Sequence, residues 1–225
     1  MRLIFATNNR HKLDEIKDIL KDKYSDFVYS LSDIGIDVNP DESGKSFEEN
    51  ADIKSKATYI EMKNKNLLKD GDYIIADDTG LCIDFFDGAP GIYSSRFMGD
   101  ISQEEKNKKI LEEMKDVPYE KRTAHFETYL SVIIVSEAKI NDNKFTDTPN
   151  THIFKGYVEG FISKDKSGEE GFGYDPIFAV GNVKDISNDK VFTYSKLGQK
   201  EKNKISHRAI ALSNFISYLE KNPNM

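Results

Sequence analysis

The sequence predicts an α/β fold in which helices flank a twisted, mixed central sheet. Short apolar runs typical of buried strands alternate with segments whose apolar residues recur at helical spacing. The chain has 225 residues, 38% hydrophobic and 32% charged, which is enough to bury a core as one domain or as two small lobes around a cleft. Because no apolar run approaches the ~18 residues that a membrane span needs, we expect no membrane segment.

The first part of the chain predicts a strand, a turn and two helices. Residues 2–7 form a short apolar run typical of a buried strand. A helix is predicted from Arg10, and a second helix after Ser46, where Glu49 three residues on completes a capping box. The predicted apolar positions are Leu13, Ile16, Ile19 and Leu20 in the first helix, and Phe47, Ala51, Ala57 and Ile60 in the second.

The central part predicts two strands, a loop and a helix. Residues 73–76 predict a strand that ends in a turn at 77–80, and residues 81–86 predict a strand that returns after it. Residues 87–96 contain Gly88, Pro90 and Gly91 and predict a loop. Residues 102–114 predict a charged helix with Ile110 and Leu111 facing inward.

The last part predicts a pair of long strands and a terminal helix. Residues 123–135 and 151–162 predict partner strands, joined by a polar hairpin tip at 137–150. Residues 163–175 predict a second polar loop. Ser206 is a good N-cap for the last helix, whose predicted buried face is Ile210, Phe215, Ile216 and Leu219.

Composition excludes several classes of protein. The net charge of −7 argues against a protein that coats nucleic acid, so we expect no nucleic-acid partner. Cys82 is the only cysteine, which excludes a disulfide scaffold and a cysteine-cluster zinc site. His11, His125 and His152 show no metal-ligand spacing, so we expect no zinc site. The N-terminus turns polar too soon for a signal peptide, so we expect a cytoplasmic protein.

Acidic residues offer a candidate magnesium site. Asp77 and Asp78 follow an apolar strand, and at a strand end one carboxylate could bind Mg²⁺ and polarise a water molecule. The other interpretation, a pair of solvated turn aspartates, stays open at this point. Glu42 lies in a loop and is a weaker metal candidate, whereas Glu49 already has a capping role.

Cationic and aromatic residues offer candidate anion and base sites. Lys12 begins a helix, whose free N–H groups favour an anion. His207 and Arg208 follow Ser206 at another helix start, with Lys202 just before them; all could equally be solvated. The rings in Phe172-Gly173-Tyr174-Asp175 could stack on a purine or could plug the base of a loop.

Six segments together resemble the inosine triphosphate pyrophosphatase family, also called noncanonical purine nucleoside triphosphate pyrophosphatases or XTP/dITP diphosphatases. They occur in family order and span nearly the whole chain. The segments are Ala6-Thr7-Asn8-Asn9-Arg10-His11-Lys12, Phe47-Glu48-Glu49-Asn50-Ala51, Ala76-Asp77-Asp78-Thr79-Gly80-Leu81, Pro90-Gly91-Ile92-Tyr93-Ser94-Ser95-Arg96, Gly171-Phe172-Gly173-Tyr174-Asp175-Pro176-Ile177-Phe178 and Lys202-Asn203-Lys204-Ile205-Ser206-His207-Arg208.

The resemblance implies Mg²⁺-dependent hydrolysis of ITP, dITP and XTP to the monophosphate and pyrophosphate. It also implies a homodimer and a single domain over residues 1–225, with two lobes around an active-site cleft. Thr79 stands where the family usually has serine, and the hydroxyl is kept. By resemblance, the catalytic carboxylate is Asp78, the metal ligands are Asp78, Asp77 and Glu42, and the substrate-binding residues are Thr7, Asn8, Asn9, Arg10, His11, Lys12, Thr79, Phe172, Gly173, Tyr174, Asp175, Lys202, His207 and Arg208.

One alternative within enzymes is a related pyrophosphatase that acts on other modified nucleotides. A rival function from a different class is a regulatory protein that binds a nucleotide without turning it over. A pure binder has no need of carboxylates near a polyanion, so the pair Asp77 and Asp78 favours an enzyme. No Ser-His-Asp or Cys-His set is recognisable, which favours metal-assisted hydrolysis over covalent catalysis.

Overall fold

The computed structural model describes residues 1–137, 149–181 and 192–222 and, within them, a mixed sheet of seven strands. The order across the sheet is β2-β1-β3-β4-β5-β6-β7. β1 pairs in parallel with β2 and β3, whereas β6 pairs antiparallel with β5 and β7. The strands are β1 Arg2–Phe5, β2 Val28–Ser30, β3 Asp72–Ile83, β4 Thr123–Ile134, β5 His152–Ile162, β6 Phe178–Val180 and β7 Phe192–Thr193.

Six α-helices are present in the described part of the chain, and the predicted α/β fold is confirmed. None of these helices is both long and apolar enough to cross a bilayer. The helices are α1 Arg10–Ile19, α2 Phe47–Asn64, α3 Gln103–Glu113, α4 Tyr194–Leu197, α5 Gln199–Ile205 and α6 His207–Lys221.

The chain divides into two compact units. Unit 1 consists of Met1–Asp78, Thr128–Lys155 and Ile210–Met225, and unit 2 of Thr79–Glu127 and Gly156–Ala209. Because the chain passes between the units several times, neither unit is one continuous segment.

Unit 1 buries both faces of β1, which explains its unbroken apolar sequence. Leu3 and Phe5 pack on one side in a cluster that includes Ile16 of α1 and Phe215 of α6. Ile4 points the other way, into a cluster that includes Tyr59 and Met62 of α2. The start of the parallel pair is held by Arg2, whose Nε donates to Asp72 Oδ1 at 2.8 Å, in register with the ladder.

Unit 2 has its own core. It contains Leu81 and Ile83 of β3, Phe126 of β4 and Ile110 of α3. Arg122 is completely buried and donates to the carbonyl oxygens of Met114, Ile162 and Ser163. This side chain therefore ties the segment after α3 to the end of β5.

The predicted turn at 77–80 and the separate returning strand at 81–86 are wrong. β3 runs without a break from Asp72 to Ile83, and Asp77 and Asp78 are 5% and 7% exposed inside it. The strand continues through these polar residues because lysine side chains from neighbouring elements pair with both carboxylates. They are therefore not solvated turn aspartates.

Two predicted core positions are also wrong. Ile60 and Ile210 are 48% and 37% exposed. The buried side of α2 carries polar residues as well as apolar ones such as Phe47 and Ala51. Ser55 hydrogen-bonds to Ser131 of β4 at 2.8 Å, and Thr58 donates to the backbone oxygen of Lys54. Periodicity of apolar residues alone could not find such a face.

The other predicted elements are confirmed with small changes in their ends. Ser46 caps α2 by accepting from Glu49 N, but Glu49 accepts from Lys45 N at 2.6 Å in place of the Ser46 amide. Ser206 accepts from Ala209 N at 3.1 Å at the start of α6. The hairpin tip predicted at 137–150 falls mostly on residues 138–148, outside the described residues.

Candidate active site

Two neighbouring aspartates of β3 form ion pairs with two different lysines. Asp77 accepts from Lys12 Nζ with both oxygens, at 3.1 and 3.0 Å. Asp78 accepts from Lys54 Nζ at 2.8 Å. Adjacent residues of a strand point to opposite faces, so the two carboxylates face different surroundings although they are consecutive in sequence.

The turn between β1 and α1 positions Lys12. The Asn9 side chain caps α1 by accepting from Lys12 N at 3.3 Å, and Thr7 Oγ1 accepts from Asn9 N at 3.1 Å. Lys12 thus lies in the first turn of the helix, where unbonded amides and the helix dipole favour an anion. Arg10 and His11 follow the cap on α1, and His11 is exposed.

The helix α2 contributes two residues that the sequence analysis missed as site residues. Lys54 Nζ lies 2.8 Å from Asp78 Oδ1 and 3.2 Å from Glu42 Oε1. Asn50, one helical turn earlier, donates to Asp78 Oδ2 at 3.4 Å and accepts from Gly44 N at 2.9 Å. The i, i+4 spacing of these two polar residues on a capped helix was the available signal.

Burial and charge oppose each other at this ion pair. Burial raises the pKa of Asp78, and the Lys54 ammonium pulls it down without cancelling the effect. For Lys54, burial alone would lower the pKa, but the negative charges of Asp78, Asp77 and Glu42 outweigh it and the pKa is raised. Lys54 therefore stays charged, and Asp78 is a stronger base than an ordinary aspartate.

A pocket of about 390 Å³ lies in unit 1 beside these residues. Of the predicted site residues, Thr7, Asn8, Lys12, Glu42 and Asp77 line it. The full lining is Ala6, Thr7, Asn8, Lys12, Leu31, Asp37, Val38, Asn39, Pro40, Glu42, Lys54, Thr58 and Asp77.

The acidic residues around this pocket have the donor chemistry that Mg²⁺ prefers. Mg²⁺ takes oxygen ligands, usually one or two carboxylates together with substrate phosphates. Asp78 and Glu42 both contact the Lys54 ammonium, whereas Asp77 contacts Lys12 and acts on Lys54 only through its charge. The residues present fit a magnesium ion in their chemistry.

A buried ion pair dominates the second group of predicted site residues, in unit 2. Lys202 Nζ donates to Asp175 Oδ2 at 2.7 Å, and both side chains are almost completely buried. The same carboxylate oxygen accepts from Phe172 N at 2.9 Å, and Lys202 Nζ lies 4.6 Å from the centre of the Phe172 ring. A Cβ at Gly171 would lie 2.4 Å from the Asp175 carboxylate, so this arrangement requires glycine there.

His207 and Arg208 are also buried in unit 2. The His207 ring stacks on Phe126 with centroids 4.5 Å apart. Arg208 donates from one terminal nitrogen to Thr79 Oγ1 at 3.4 Å. The structure therefore brings Arg208 and Thr79 together although they are 129 residues apart in sequence.

Tyr174 and Gly173 anchor the loop that carries Phe172 and Asp175. Tyr174 belongs to the unit 2 core and donates its hydroxyl to Ser94 O at 2.8 Å, and burial raises its pKa to about 12. Gly173 has a φ of +64° and accepts from Asn107 Nδ2 at 3.0 Å. A role of Tyr174 in purine stacking stays a prediction.

Comparisons with known proteins identify relatives over nearly the whole chain. A protein named dITP/XTP pyrophosphatase from Thermoanaerobacter pseudethanolicus is 39% identical over 222 residues, 98% of each chain. One of the same name from Bacillus subtilis is 41% identical over 218 residues, 96% of each chain. The solved structure of the Staphylococcus aureus Ham1 protein matches with a TM-score of 0.73 and 34% identity, covering 99% of this chain and 100% of that one. A HAM1 protein from Coxiella burnetii matches with a TM-score of 0.74 and 30% identity, covering 98% and 99%.

These relatives, together with the α/β fold and its charged pocket, place the chain among enzymes that hydrolyse acid anhydrides, the class to which pyrophosphatases belong. More narrowly, the model of the Ham1 family matches residues 3–218, and the chain belongs to the Ham1 family. The resemblance seen in the six sequence segments is confirmed.

Proposed function

We propose that this chain hydrolyses noncanonical purine nucleoside triphosphates (ITP, dITP and XTP) to the monophosphate and pyrophosphate, with Mg²⁺ as cofactor. The names of the relatives support this substrate class. The observation that carries the proposal is the unit 1 pocket at the start of α1, which is lined by Lys12, Lys54, Glu42 and Asp77. Asp78 does not line this pocket but pairs with its Lys54. A cytoplasmic homodimer with one catalytic domain over residues 1–225 completes the proposal.

The triphosphate is held at the start of α1 in this proposal. Lys12 supplies a positive charge, and the amides of the first helical turn supply hydrogen-bond donors. Asp77 holds the Lys12 ammonium through both carboxylate oxygens, so the cation is oriented before a substrate arrives. Thr7 and Asn8 line the same pocket. Asn9, Arg10 and His11 complete the predicted phosphate-binding turn.

Asp78 is the proposed base and metal ligand, with Asp77 and Glu42 as further metal ligands. When bound, Mg²⁺ would neutralise phosphate charge and stabilise the pyrophosphate leaving group. Asp78 takes a proton from the attacking water, whose oxygen forms a bond to the α-phosphorus. The bond from that phosphorus to the bridging oxygen breaks, and its electron pair leaves with pyrophosphate. Lys54 and Asn50 hold Asp78 in place.

Buried donors in unit 2 are the proposed basis of base recognition. Hypoxanthine and xanthine present a 6-oxo acceptor where adenine presents a 6-amino donor. Arg208 can only donate, and His207 can donate from its ring. The proposed base-binding residues are Thr79, Phe172, Gly173, Tyr174, Asp175, Lys202, His207 and Arg208.

The decisive experiment measures pyrophosphate release from ITP, XTP, GTP and ATP, with and without Mg²⁺. We expect pyrophosphate release from ITP and XTP to be well above release from GTP, and release from GTP to exceed release from ATP. Without the metal we expect no turnover.

Asp78→Asn keeps the size of the side chain but removes its charge and basicity, so turnover should fall at least ~10²-fold. Arg208→Ala should lower kcat/KM for ITP and XTP more than for ATP.

Two outcomes would contradict the proposal. Hydrolysis of ATP as fast as ITP by the wild-type chain would refute the donor-based choice of substrate. Near-normal turnover by Asp78→Asn, with unchanged metal dependence, would show that Asp78 is not the base. Tight ITP binding without any turnover would favour the regulatory binding protein instead.

A further inference from the structure

A second cluster of metal-ligand side chains lies in unit 2, and the proposed mechanism uses none of its members. Within the described residues, Cys82 Sγ, a ring nitrogen of His125 and a carboxylate oxygen of Glu127 all lie within 4.8 Å of one another. Cys82 is 6% exposed, whereas the other two side chains are half-buried. The sulfur is thus shielded while the imidazole and carboxylate remain reachable from solvent.

The sheet brings these three residues together. β3 and β4 are neighbours in the sheet, and residues two apart on a strand share a face. Phe126, between His125 and Glu127, belongs to the unit 2 core, as do Leu81 and Ile83 on either side of Cys82. The three ligand side chains therefore project from the opposite face. Sequence spacing could not reveal this site because its cysteine and histidine lie on different strands.

The imidazole is already oriented within the cluster. His125 Nε2 lies 3.1 Å from Glu127 Oε1, and its ring lies 4.8 Å from the Tyr157 ring at an interplanar angle of 32°. Neighbouring ligand atoms around a tetrahedral Zn²⁺ with bonds of 2.0–2.3 Å are about 3.5 Å apart. The histidine–glutamate distance is close to that value, and the sulfur, which lies within 4.8 Å of both atoms, would move towards them to close the set on an ion.

We propose that Cys82, His125 and Glu127 form a binding site for a borderline-soft divalent transition-metal ion such as Zn²⁺. A thiolate, an imidazole and a carboxylate suit Zn²⁺ or Co²⁺, with a water molecule in the fourth tetrahedral position. Mg²⁺ prefers an all-oxygen set and is a poor match for a thiolate. The proposal stands on these three residues and does not depend on the proposed hydrolysis.

The test uses Co²⁺ as a spectroscopic probe on the full-length, metal-free chain. Because the chain has a single cysteine, a thiolate-to-cobalt charge-transfer band can arise only from Cys82. We expect the band to saturate at one Co²⁺ per chain and to disappear when Zn²⁺ is added. A large excess of Mg²⁺ should leave it unchanged. No band at saturating Co²⁺ would overturn the proposal.

Variants separate a three-ligand site from an isolated cysteine. Cys82→Ser should abolish the band, and His125→Gln and Glu127→Gln should each weaken Co²⁺ binding by at least ~10-fold, since even residues that only support a ligand contribute that much. His152→Gln is the matched control, because His152 is a half-buried histidine of β5 outside the cluster. Circular dichroism checks that each variant folds. Unchanged Co²⁺ affinity in either His125→Gln or Glu127→Gln would refute the three-ligand site.

Discussion

Lys54 is a cation on which three acidic side chains of unit 1 act. Its ammonium contacts Asp78 and Glu42 directly, and Asp77 adds to the negative field. A buried carboxylate without a partner is costly, so Lys54 allows Asp78 to be both buried and ionised. Removing the Lys54 ammonium should therefore act mainly on the protonation of Asp78.

Replacing Lys54 with methionine should shift the acidic limb of the pH–rate profile to higher pH. Burial already raises the pKa of Asp78, and the ammonium is the group that lowers it. Without that charge the pKa of Asp78 rises further, so the ionised form is lost at a higher pH. The measurement is kcat/KM against pH for the wild type and Lys54→Met.

Lys65→Met is the matched control for this profile. Lys65 follows the C-terminal end of α2, is 44% exposed and pairs with Glu61 at 3.2 Å, away from the pocket lining. Its profile should coincide with that of the wild type. An acidic limb that stays in place, or moves to lower pH, in Lys54→Met would contradict the role given to Lys54.

Replacing Lys12 with alanine should raise KM for the triphosphate by ~10-fold or more. Charge-assisted hydrogen bonds contribute ~1.5–3 kcal/mol each, and the ammonium is lost entirely. Lys17→Ala is the control, because Lys17 is an exposed lysine of the same helix. Equal values of KM for the two variants would mean that the start of α1 is not the phosphate site.

The site residues that sequence reasoning found and missed differ in a physical way. Lys12 lies in the first turn of a helix, and Asp78 directly follows an apolar run, where the sequence predicted a strand end and chemistry is expected, although Asp78 lies inside β3. Asn50 and Lys54 lie inside α2, and their role depends on which face of that helix turns towards β3. That orientation is fixed by Ser55 and other polar packing residues, which a search for apolar periodicity does not detect.

At the scale of elements, the segment before α2 is held very close to the helix. A Cβ added to Gly44 would lie 2.6 Å from Asn50 Oδ1 and 2.9 Å from Asn50 N. The Gly44 amide also donates to Asn50 Oδ1. Only glycine allows the segment that carries Glu42 to approach α2 this closely.

Gly44→Ala should lower kcat because it displaces Asn50 and, through it, Asp78. Overpacking of this kind also costs ~1–3 kcal/mol of stability. Ser43→Ala is the control, a change of similar size at an exposed position of the same segment. The measurements are steady-state kinetics and thermal unfolding. Wild-type values of both for Gly44→Ala would show that the close approach is unimportant.

Most long elements were predictable, and most short ones were not. α1, β4 and α6 have enough residues for a clear apolar pattern or cap, and the four-residue β1 was recognisable from its apolar run. α4 has four residues, and β6 and β7 have three and two, which is too few for any periodicity. β3 was divided wrongly because two consecutive aspartates usually mark a turn, whereas partner lysines on α1 and α2 keep them inside a strand.

At the scale of the whole molecule, the mixed sheet was predictable and its strand order was not. Alternating strand and helix patterns predict layers, but the neighbours of each strand depend on pairings between distant residues, such as Arg2 with Asp72.

The prediction of a homodimer rests on the family resemblance. Sedimentation at micromolar concentration should give twice the chain mass of 25.7 kDa, and a monomer would contradict the proposed homodimer.

The ladder between β1 and β3 also determines which aspartate faces Lys12 and which faces Lys54. Side chains on a strand alternate between faces, so inserting one residue between Asp72 and Asp77 would exchange the faces of the two carboxylates. Asp77 would then point towards Lys54, and Asp78 towards Lys12. The roles of these two chemically identical groups therefore depend on whether each lies an odd or an even number of residues after Asp72, which the ion pair with Arg2 holds in register. Point substitutions in this strand leave that count intact, whereas a single-codon insertion or deletion would reverse it.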